Sequence, residues 1–339
     1  MILDKEISVV ILNFNGVKHL KKYMPDVIKY SSSAEIVIID NASTDNSVSF
    51  IKSNFPDIKL INNTINHGFA EGYNQGLKHV DSKYYILLNN DVRVSENWIS
   101  PLKKAIEKNN LLAGCQPKIL SDRNPEYFEH AGACGGFIDK DYYPFCRGRI
   151  FDEIEKDNGQ YNEDANIFWC SGAAFFIRSE VFHKAGGFDS SFFAHMEEID
   201  LCWRIQNLGY EFAVIPKSIV YHYGGGTLNY ESSSKIYLNF RNNLYMIYKN
   251  HRGFLFPKLF RRMCLDLIAA IKYLISGKFN FFFSVFLSHM NFYSNLISLS
   301  KKRKKIVRKK PQDLKGYYKR SILLDYFVKK RKTYNALKI

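Results

Sequence analysis

The sequence predicts an α/β protein in which a mostly parallel, Rossmann-like central sheet is flanked by helices and followed by a basic helical extension. Four short apolar runs, at 7–12, 35–39, 58–61 and 84–88, are each bounded by polar turn residues. Their almost continuous Val, Ile and Leu content is typical of strands that are covered on both faces. The chain is 46% hydrophobic and 15% aromatic, which is typical of a packed core and excludes a disordered chain.

The distribution of charge divides the chain near residue 230. Residues 1–230 contain 23 Lys and Arg against 29 Asp and Glu, whereas residues 231–339 contain 25 against 4. We therefore predict an α/β domain over residues 1–230 and a basic, amphipathic, helical, membrane-associating region over residues 231–339. The partner of the basic region is expected to be an anionic membrane surface and not nucleic acid, because no nucleic-acid reading module is recognisable.

The cysteines and the N-terminus indicate the cellular compartment in which the chain is expected. The six cysteines show no C-x-x-C pair and no spacing typical of a zinc site, which indicates buried free thiols. The N-terminus has no secretory signal pattern. The expected location is therefore cytoplasmic, peripheral on the inner face of the plasma membrane.

Polar residues follow the first two predicted strands. Asn13 and Asn15 end the first, and Asp40 opens the segment 40–47 at the end of the second. Ligands of open α/β sheets bind beyond the carboxyl ends of the strands, so a carboxylate there could accept an N–H of a nucleobase. The alternative is that Asp40 and Asp45 only cap or brace the turn.

The segment 66–76 spaces Gly68, Gly72 and Gly76 by four residues. This spacing permits close approach of a helix to a sheet, or of backbone to a diphosphate. The segment has neither the P-loop Lys-Ser/Thr nor G-x-G-x-x-G, so nucleoside triphosphate hydrolysis and dinucleotide binding are both disfavoured.

A candidate metal site follows the fourth strand, where Asn89, Asn90 and Asp91 stand together. A hard divalent ion, Mg²⁺ or Mn²⁺, could bridge Asp91 and a diphosphate. His222 ends a later apolar run beside Gly224–Gly226, a position that favours a metal or diphosphate contact over a purely structural role.

Three acids open a predicted helix at Glu197, Glu198 and Asp200. Acids are favoured in the first turn of any helix by its dipole, which is one explanation. The other is a general base that removes the proton of an acceptor hydroxyl. Adjacent carboxylates separate their pKa values, which suits one of the pair for proton exchange.

Together these segments resemble the family 2 glycosyltransferases of the GT-A fold, especially the bacterial rhamnosyltransferase-like branch, over roughly Ile7–Thr227. The matching motifs are the Asp-Asn-x-Ser-x-Asp turn, Asn-x-Gly-Phe-Ala, Asx-Asx-Asp, Ser171-Gly172-Ala173, Gly-Gly-Phe-Asp, the acidic helix start and the late His. The resemblance implies that Asp40 contacts the nucleobase of the donor and that Asp91 and His222 hold the metal. It also implies that the acidic helix start supplies the general base of the reaction. The nucleotide-sugar-binding positions that it implies are Asn13, Asn15, Asp40, Asn66, Gly68, Asn74, Asn90 and Gly172.

The same resemblance implies an inverting, metal-dependent transfer from a UDP- or dTDP-linked sugar, with rhamnose a candidate. The acceptor would be a hydroxyl of a cell-surface polysaccharide, such as an O-antigen, or of a lipid-linked oligosaccharide precursor. One departure stands out: the family usually has Asp where this sequence has Glu198, so Glu197 or Asp200 could act as the base instead.

Two other function classes are compatible with an α/β chain of this length. A nucleotidyltransferase should carry a Gly-rich, Lys- or Arg-bearing loop after its first strand, and Asn13–Gly16 is followed by none. An inactive relative should have lost the carboxylate that binds the metal or the one that acts as general base. The candidate acids for both roles, named above, are all present.

In the basic region, an amphipathic helix is predicted over 254–276, followed by 22 residues, 279–300, without Lys, Arg, Asp or Glu. A stripe of Ser and Asn on this second segment favours lying in the membrane interface, although packing on the catalytic domain or spanning the membrane are alternatives. Eight of the ten residues in Lys301–Lys310 are basic, which suits anionic lipid. Truncation after Ile275 is predicted to leave a folded enzyme that does not bind membranes.

Overall fold

The computed structural model describes residues 6–129, 132–224 and 232–339. The strands in these ranges are β1 Ile7–Asn13, β2 Glu35–Asp40, β3 Lys59–Asn62, β4 Tyr84–Asn89, β5 Val92–Val94, β6 Leu112–Ser121, β7 Gly136–Asp139, β8 Pro144–Cys146, β9 Arg149–Ile150, β10 Glu153–Ile154, β11 Ala165–Ile167, β12 Ala174–Arg178, β13 Glu211–His222 and β14 Tyr317–Tyr318. The helices are α1 Val17–Tyr30, α2 Ser47–Asn54, α3 Gly68–Leu77, α4 Ile99–Lys108, α5 Ser179–Lys184, α6 Glu197–Asn207, α7 Ser233–Asn250, α8 Leu255–Ile275, α9 Phe279–Ser294 and α10 Leu296–Lys305.

The central sheet has the order β11-β13-β6-β12-β4-β1-β2-β3, and β5 pairs with β13. The four apolar runs of the sequence are β1 to β4, which pair in parallel as predicted. Beyond β4 the sheet is mixed, because β12 runs antiparallel to both β4 and β6. The α/β fold with a helix-flanked central sheet is confirmed, although only one half of the sheet is wholly parallel.

The glycines of α3 serve helix-to-sheet packing. A Cβ at Gly76 would lie 2.2 Å from the side chain of Ile39 in β2, and one at Gly72 would lie 3.1 Å from Asn41. Larger residues would push the helix off the strand. Of the two explanations for the four-residue glycine spacing, the structure supports close approach of a helix to the sheet.

A second sheet, of order β10-β9-β8-β7-β14, forms from Arg123–Glu163, a weakly periodic segment that we call the insertion, and from one strand of the C-terminal region. β14 pairs in parallel with β7, and the Asp139 carboxylate accepts the backbone N–H of Ile322 at 2.8 Å. The chain after Lys305 is therefore not a continuous helix: it contributes β14, and Leu314, Tyr318 and Ile322 are buried, whereas Val307 and Val328 are exposed.

One hydrophobic core runs through both predicted units. Tyr245, Phe292 and Ile322 belong to the same buried cluster as Trp203 of the catalytic half. Truncation after Ile275 would remove buried side chains such as Phe292 and Ile322 and the strand β14, so the structure argues against the expectation that the shortened chain folds. The predicted boundary near residue 230 lies in 225–231, outside the described residues.

Helices α8 and α9 present their polar sides to the protein and their apolar sides outward. In α8 the buried Arg262 donates to Asp266 at 2.7 Å, and in α9 Ser284 and Ser288 are buried. Tyr245 of α7 donates to the Asn291 amide oxygen at 2.6 Å. The buried part of the Ser/Asn stripe thus packs on α7, within the predicted region 231–339 and not directly on residues 1–230. Spanning is excluded for this segment, since no helix in the described part of the chain is long and apolar enough to cross a membrane.

Candidate functional site

The carboxyl ends of β1 and β2 carry a connected hydrogen-bond network. The buried Asn13 amide donates to Asp40 at 3.0 Å and to the Ser43 hydroxyl at 3.2 Å. Asp40 also accepts the Ser43 backbone N–H at 2.8 Å and its hydroxyl at 2.7 Å. With only 2% of Asp40 exposed, its carboxylate braces this turn in the ligand-free chain. Its contact with a nucleobase stays a prediction.

Asn15 and Asn90 extend the same network. The exposed Asn15 has a φ of 50°, and its amide oxygen accepts the Thr44 backbone N–H at 2.7 Å. The Asn90 amide donates to Asn13 at 2.9 Å, which ties the end of β4 to the end of β1. The structure thus brings Asn13, Asn15, Asp40 and Asn90 together at one sheet edge.

The predicted contacts in segment 66–76 are mostly structural. Asn66 accepts the Gly68 backbone N–H at 2.9 Å, and a Cβ at Gly68 would lie 2.5 Å from the ring of Phe193. Asn74 donates to the Phe188 carbonyl at 2.8 Å and accepts its N–H at 3.0 Å. Both ends of the Asn74 amide hold the backbone of Phe188, which is a structural role, and its contact with the nucleotide sugar stays a prediction.

Gly172 precedes β12 beside the end of β4, where the Asn89 N–H donates to the Ala173 carbonyl at 3.0 Å. A Cβ at Gly172 would lie 3.2 Å from the ring of Phe69. The position is close-packed and lies at the predicted edge. The glycines and threonine at 225–227, which follow His222, are outside the described residues.

Asp91 and His222 meet as predicted. The antiparallel pairing of β5 with β13 places His222 opposite Val92, next to Asp91. The Asp91 Oδ1 and the His222 Nε2 lie 3.1 Å apart, and both side chains are buried. Burial opposes ionisation of Asp91, but the charge of His222 outweighs it and lowers the Asp91 pKa. Burial likewise opposes charging of His222, whose pKa Asp91 and Glu129 nevertheless raise.

This pair fits a divalent cation. Adjacent ligand atoms around an octahedral ion with bonds near 2.1 Å lie about 3 Å apart, which matches the measured separation. The residues described at 6–129, 132–224 and 232–339 contain no group of three or more His, Cys, Asp or Glu that could hold a metal. A cation here would therefore take its other ligands from a diphosphate and water, as Mg²⁺ commonly does.

Glu129 was not among the site residues predicted from the sequence. Its carboxylate lies 3.3 Å from the His222 Nδ1, on the side of the ring away from Asp91, and it is buried. A carboxylate on the second nitrogen fixes the orientation of a metal-binding imidazole. Glu129 lies in the weakly periodic insertion, where no sequence pattern pointed to it.

The acids Glu197 and Glu198 open α6 at the end of a strained loop. Phe193, His195 and Met196 have φ of 64°, 68° and 71°, which side chains other than glycine rarely adopt. The Oε2 atoms of both glutamates are buried, and neither has a hydrogen-bond partner among the described residues. Burial raises the pKa of Glu198 to about 7, although its own backbone N–H and that of Ile199 act in the opposite direction. Burial and the neighbouring Glu198 raise the pKa of Glu197.

Asp200 is not a candidate base. Arg204 donates to its Oδ2 at 2.8 Å, Lys249 at 2.9 Å, and Asn250 donates to its Oδ1 at 2.7 Å. The side chain is fully buried. The prediction for Asp200 is corrected: its carboxylate is committed to cations that join α6 to α7.

Helix α7 also holds the loop before α6. The buried Asn242 amide lies within hydrogen-bond reach of three carbonyl oxygens, those of Phe192 at 3.0 Å, Ala194 at 2.9 Å and His195 at 2.7 Å. Strained backbone persists only where its surroundings hold it in place. A residue of the predicted membrane region thus positions the acidic helix start, a role that sequence reasoning missed.

We expect Asn242→Ala to lower turnover by roughly one to two orders of magnitude, because a small displacement of a catalytic group is costly. Donor affinity should stay near the wild-type value, since the Asn242 amide bonds the loop carbonyls and the neighbouring Arg241, and not the strand ends where the donor is expected. Initial rates at saturating donor, together with donor titration calorimetry, measure both quantities. Asn239→Ala, one turn away on the same helix, is the matched control; equal losses in the two variants would contradict a positioning role.

Comparison with known proteins agrees with this geometry. Residues 8–186 match the model of the family described as glycosyl transferase family 2. The chain is 24% identical over 248 residues to the low-salt glycan biosynthesis hexosyltransferase Agl10 of Haloferax volcanii, covering 70% of this chain and 74% of that one. It is 19% identical over 263 residues to the N-acetylglucosaminyl-diphospho-decaprenol L-rhamnosyltransferase of Mycobacterium tuberculosis, covering 73% and 85%.

The fold is shared with solved glycosyltransferases. The structure of the mannosyltransferase PcManGT from Pyrobaculum calidifontis, in complex with GDP-Man and Mn²⁺, superposes with a TM-score of 0.51 at 12% identity and covers 88% of this chain and 87% of that one. The matched family model spans more than half of the chain and includes the edge that carries Asp40 and Asp91. The protein transfers a sugar from a nucleotide sugar, and it belongs to glycosyl transferase family 2.

Proposed function

We propose that this glycosyltransferase is an inverting, metal-dependent enzyme that moves a UDP- or dTDP-linked hexose, with rhamnose a candidate, to a hydroxyl of a lipid-linked glycan at a membrane surface. The observation that carries the proposal is the buried Oε2 atom of Glu198, which has no partner among the described residues and belongs to a carboxyl with a pKa raised to about 7. A buried, unsatisfied acceptor is unfavourable unless a ligand supplies the missing hydrogen bond.

Glu198 acts as the general base. A carboxylate with a pKa near the working pH accepts a proton more readily than one with an ordinary pKa. It takes the proton of the acceptor hydroxyl as the oxygen attacks the anomeric carbon, so the configuration inverts in a single displacement. Glu197, deeper and also of raised pKa, stays protonated beside it and keeps the second charge out of the site.

Asp91 and His222 would hold Mg²⁺ or Mn²⁺. When bound, the cation neutralises charge on the departing nucleoside diphosphate. Glu129 holds the ring of His222 with its Nε2 toward Asp91. The network of Asn13, Asp40 and Ser43 orients the donor at the adjoining strand ends.

A direct test uses purified protein with a panel of UDP-, dTDP- and GDP-sugars and Mn²⁺. The cognate donor should raise the melting temperature only in the presence of the cation. Transfer to a polyprenyl-diphosphate-linked acceptor, followed by NMR of the anomeric proton, reports the stereochemistry. Retention of configuration in the product would overturn the single displacement, and stabilisation by no donor would overturn the site.

A membrane surface is the proposed partner of α8 and α9. Their outward side chains form what we call the apolar face: Phe256, Phe260, Leu267, Ile268, Ile271, Leu274 and Ile275 on α8, and Phe279, Phe283, Phe286, Leu287, Met290 and Tyr293 on α9, all exposed. Exposed Lys272, Lys278, Lys301, Lys304 and Lys305 surround it in sequence. An aromatic face edged by cations complements an anionic bilayer interface. The mycobacterial relative's name specifies a decaprenol-linked acceptor, which such a location would serve.

We expect the triple variant Phe260→Ser, Phe283→Ser, Phe286→Ser to lose binding to anionic liposomes while keeping its melting temperature, because these side chains touch solvent and not the core. Flotation with and without phosphatidylglycerol measures binding. The matched control removes three exposed apolar side chains elsewhere, Ile65→Ser, Leu111→Ser and Ile154→Ser. Equal flotation of both variants would contradict the assignment.

A further inference from the structure

A cleft of roughly 270 Å³ lies apart from the candidate active site, and none of its lining residues belongs to that site. Four parts of the chain meet there: the turn between β7 and β8, the end of α7, the first turn of α8 and the segment that leads to β14. The lining residues are Tyr142, His251, Arg252, Lys258, Lys310, Pro311, Gln312 and Tyr317.

The lining contains three cations, Arg252, Lys258 and Lys310, and no carboxylate. Within the described residues, no ion pair or side-chain hydrogen bond neutralises these three. Nearby cations differ in this respect: Arg261 is paired with Asp141 at 2.6 Å and Arg262 with Asp266 at 2.7 Å. Unneutralised like charges repel one another, and an anion bound between them would relieve that repulsion.

The cleft also contains a neutral pair. The Tyr142 hydroxyl lies 2.6 Å from the His251 Nδ1. Burial raises the pKa of Tyr142, so the hydroxyl keeps its proton. Burial, Lys258 and Arg303 lower the pKa of His251 to about 4, so the ring is neutral at pH 7 and does not add to the positive charge. The guanidinium and ammonium groups are the donors that suit the oxygens of a phosphate.

Helix α8 contributes to both the cleft and the apolar face. Its first turn supplies Lys258 to the cleft, whereas Phe256 and Phe260, which are 67% and 59% exposed, belong to the apolar face. Residues two apart on a helix point in nearly opposite directions, so Lys258 faces away from these two rings. When the rings enter the bilayer, a phosphate held by Lys258 would lie on the far side of the helix, toward the headgroups.

We propose that this cleft binds the phosphate of a membrane lipid, supplied either by the phosphomonoester headgroup of an anionic phospholipid or by the diphosphate of a polyprenyl-linked acceptor, and not by a phosphodiester headgroup such as that of phosphatidylglycerol. The proposal rests on the membrane association proposed above and adds a defined site to it. Binding is specific for the phosphate group and not only for surface charge.

The test compares two full-length variants that lose the same charge. The cleft variant is Arg252→Gln, Lys258→Gln, Lys310→Gln, and the control is Lys301→Gln, Lys304→Gln, Lys305→Gln. Both are mixed with phosphatidylcholine vesicles that contain phosphatidic acid, polyprenyl diphosphate, or phosphatidylglycerol adjusted to equal surface potential. We expect the cleft variant to bind at least one phosphate-terminated surface about tenfold more weakly than the control, and both to bind phosphatidylglycerol alike.

The vesicle that shows the difference identifies the source, phosphatidic acid for a headgroup and polyprenyl diphosphate for the acceptor. Equal losses of the two variants on every vesicle would overturn the proposal, because generic charge would then suffice. If the triple variant unfolds, the single Lys258→Gln variant is measured in the same way.

Two further measurements separate this proposal from the proposed function. The increase in melting temperature caused by the donor with Mn²⁺ should be the same in both variants. If the wild type shows no such increase, that result counts against the proposed transferase site and leaves the cleft proposal unaffected. If the wild type ignores every vesicle, calorimetry with inorganic pyrophosphate in EDTA examines the cleft directly. Binding to the wild type that the cleft variant has lost supports the site, and no binding overturns it.

Discussion

Replacing Glu198 with Gln is expected to lower turnover by roughly two to four orders of magnitude while donor affinity stays near normal. Gln keeps the size of the side chain but cannot accept the proton of the acceptor hydroxyl. In the wild type the rate should rise with pH through about 7, where Glu198 ionises, and this limb should be absent from the variant. Initial rates at saturating donor between pH 5 and 9 measure both effects.

The same substitution is expected to stabilise the fold at alkaline pH. The folded-state pKa of Glu198, about 7, lies above its ordinary value of 4.5, so the contribution of this group to stability is present at acidic pH and is lost as the pH rises through about 7. Gln does not ionise, so the variant keeps this contribution at every pH. The variant should therefore melt a few degrees higher than the wild type at pH 8.5 and at nearly the same temperature at pH 4.5. The corresponding gain in the free energy of unfolding at pH 8.5 is about 1 to 3 kcal/mol.

Two neighbours serve as controls for this result. Asp200→Asn should lower the melting temperature, because it weakens buried pairs with Arg204 and Lys249. Glu197→Gln should keep most of the turnover, since burial and the neighbouring Glu198 raise the pKa of Glu197 and so favour its neutral form, which Gln resembles. Near-wild-type turnover in Glu198→Gln together with collapse in Glu197→Gln would assign the base to Glu197 instead.

The parallel half of the sheet could be predicted because each strand is a single apolar run that is covered on both faces. The clustering of Asn13, Asp40 and Asp91 followed from it, because parallel strands bring their carboxyl ends to one edge. The pairing of Asp91 with His222 was correct for a related reason, since both stand at strand ends.

The groups that support the site could not be predicted in this way. Asn242 lies 45 residues after Glu197, and only the tertiary packing of α7 brings its amide to the loop before α6. Asp200 looked like Glu198 in sequence, and it differs because Lys249 and Asn250 reach it from another helix. A helical period likewise shows that α8 has an apolar side but not whether that side faces the core. In α8 the side that carries the buried pair of Arg262 and Asp266 faces the protein, so the apolar side faces outward.

Replacing Asp91 with Asn is expected to abolish transfer and to remove the dependence of donor binding on Mg²⁺ or Mn²⁺. Asp91 is the carboxylate at the end of β4, and its Oδ1 lies 3.1 Å from the His222 Nε2. Among the described residues no group of three or more His, Cys, Asp or Glu could hold a metal, and Glu129 lies on the Nδ1 side of the His222 ring, so the variant loses the carboxylate on the Nε2 side. An amide oxygen is a neutral and weaker ligand for a hard cation. Loss of the cation removes the charge that balances the departing diphosphate, a loss of at least about a thousandfold in turnover.

Calorimetric titration of the donor, with and without Mn²⁺, separates this effect from misfolding. Wild-type affinity should rise with the cation, whereas the variant should bind the donor equally weakly in both buffers. Asp57→Asn is the matched control, because Asp57 is exposed and precedes the amino end of β3, on the opposite edge of the sheet. It should reproduce the wild-type ratio of affinities. The variant retains His222 and Glu129, which remain 3.3 Å apart, so a residual cation effect of the wild-type size would show that these two groups, and not Asp91, form the metal site.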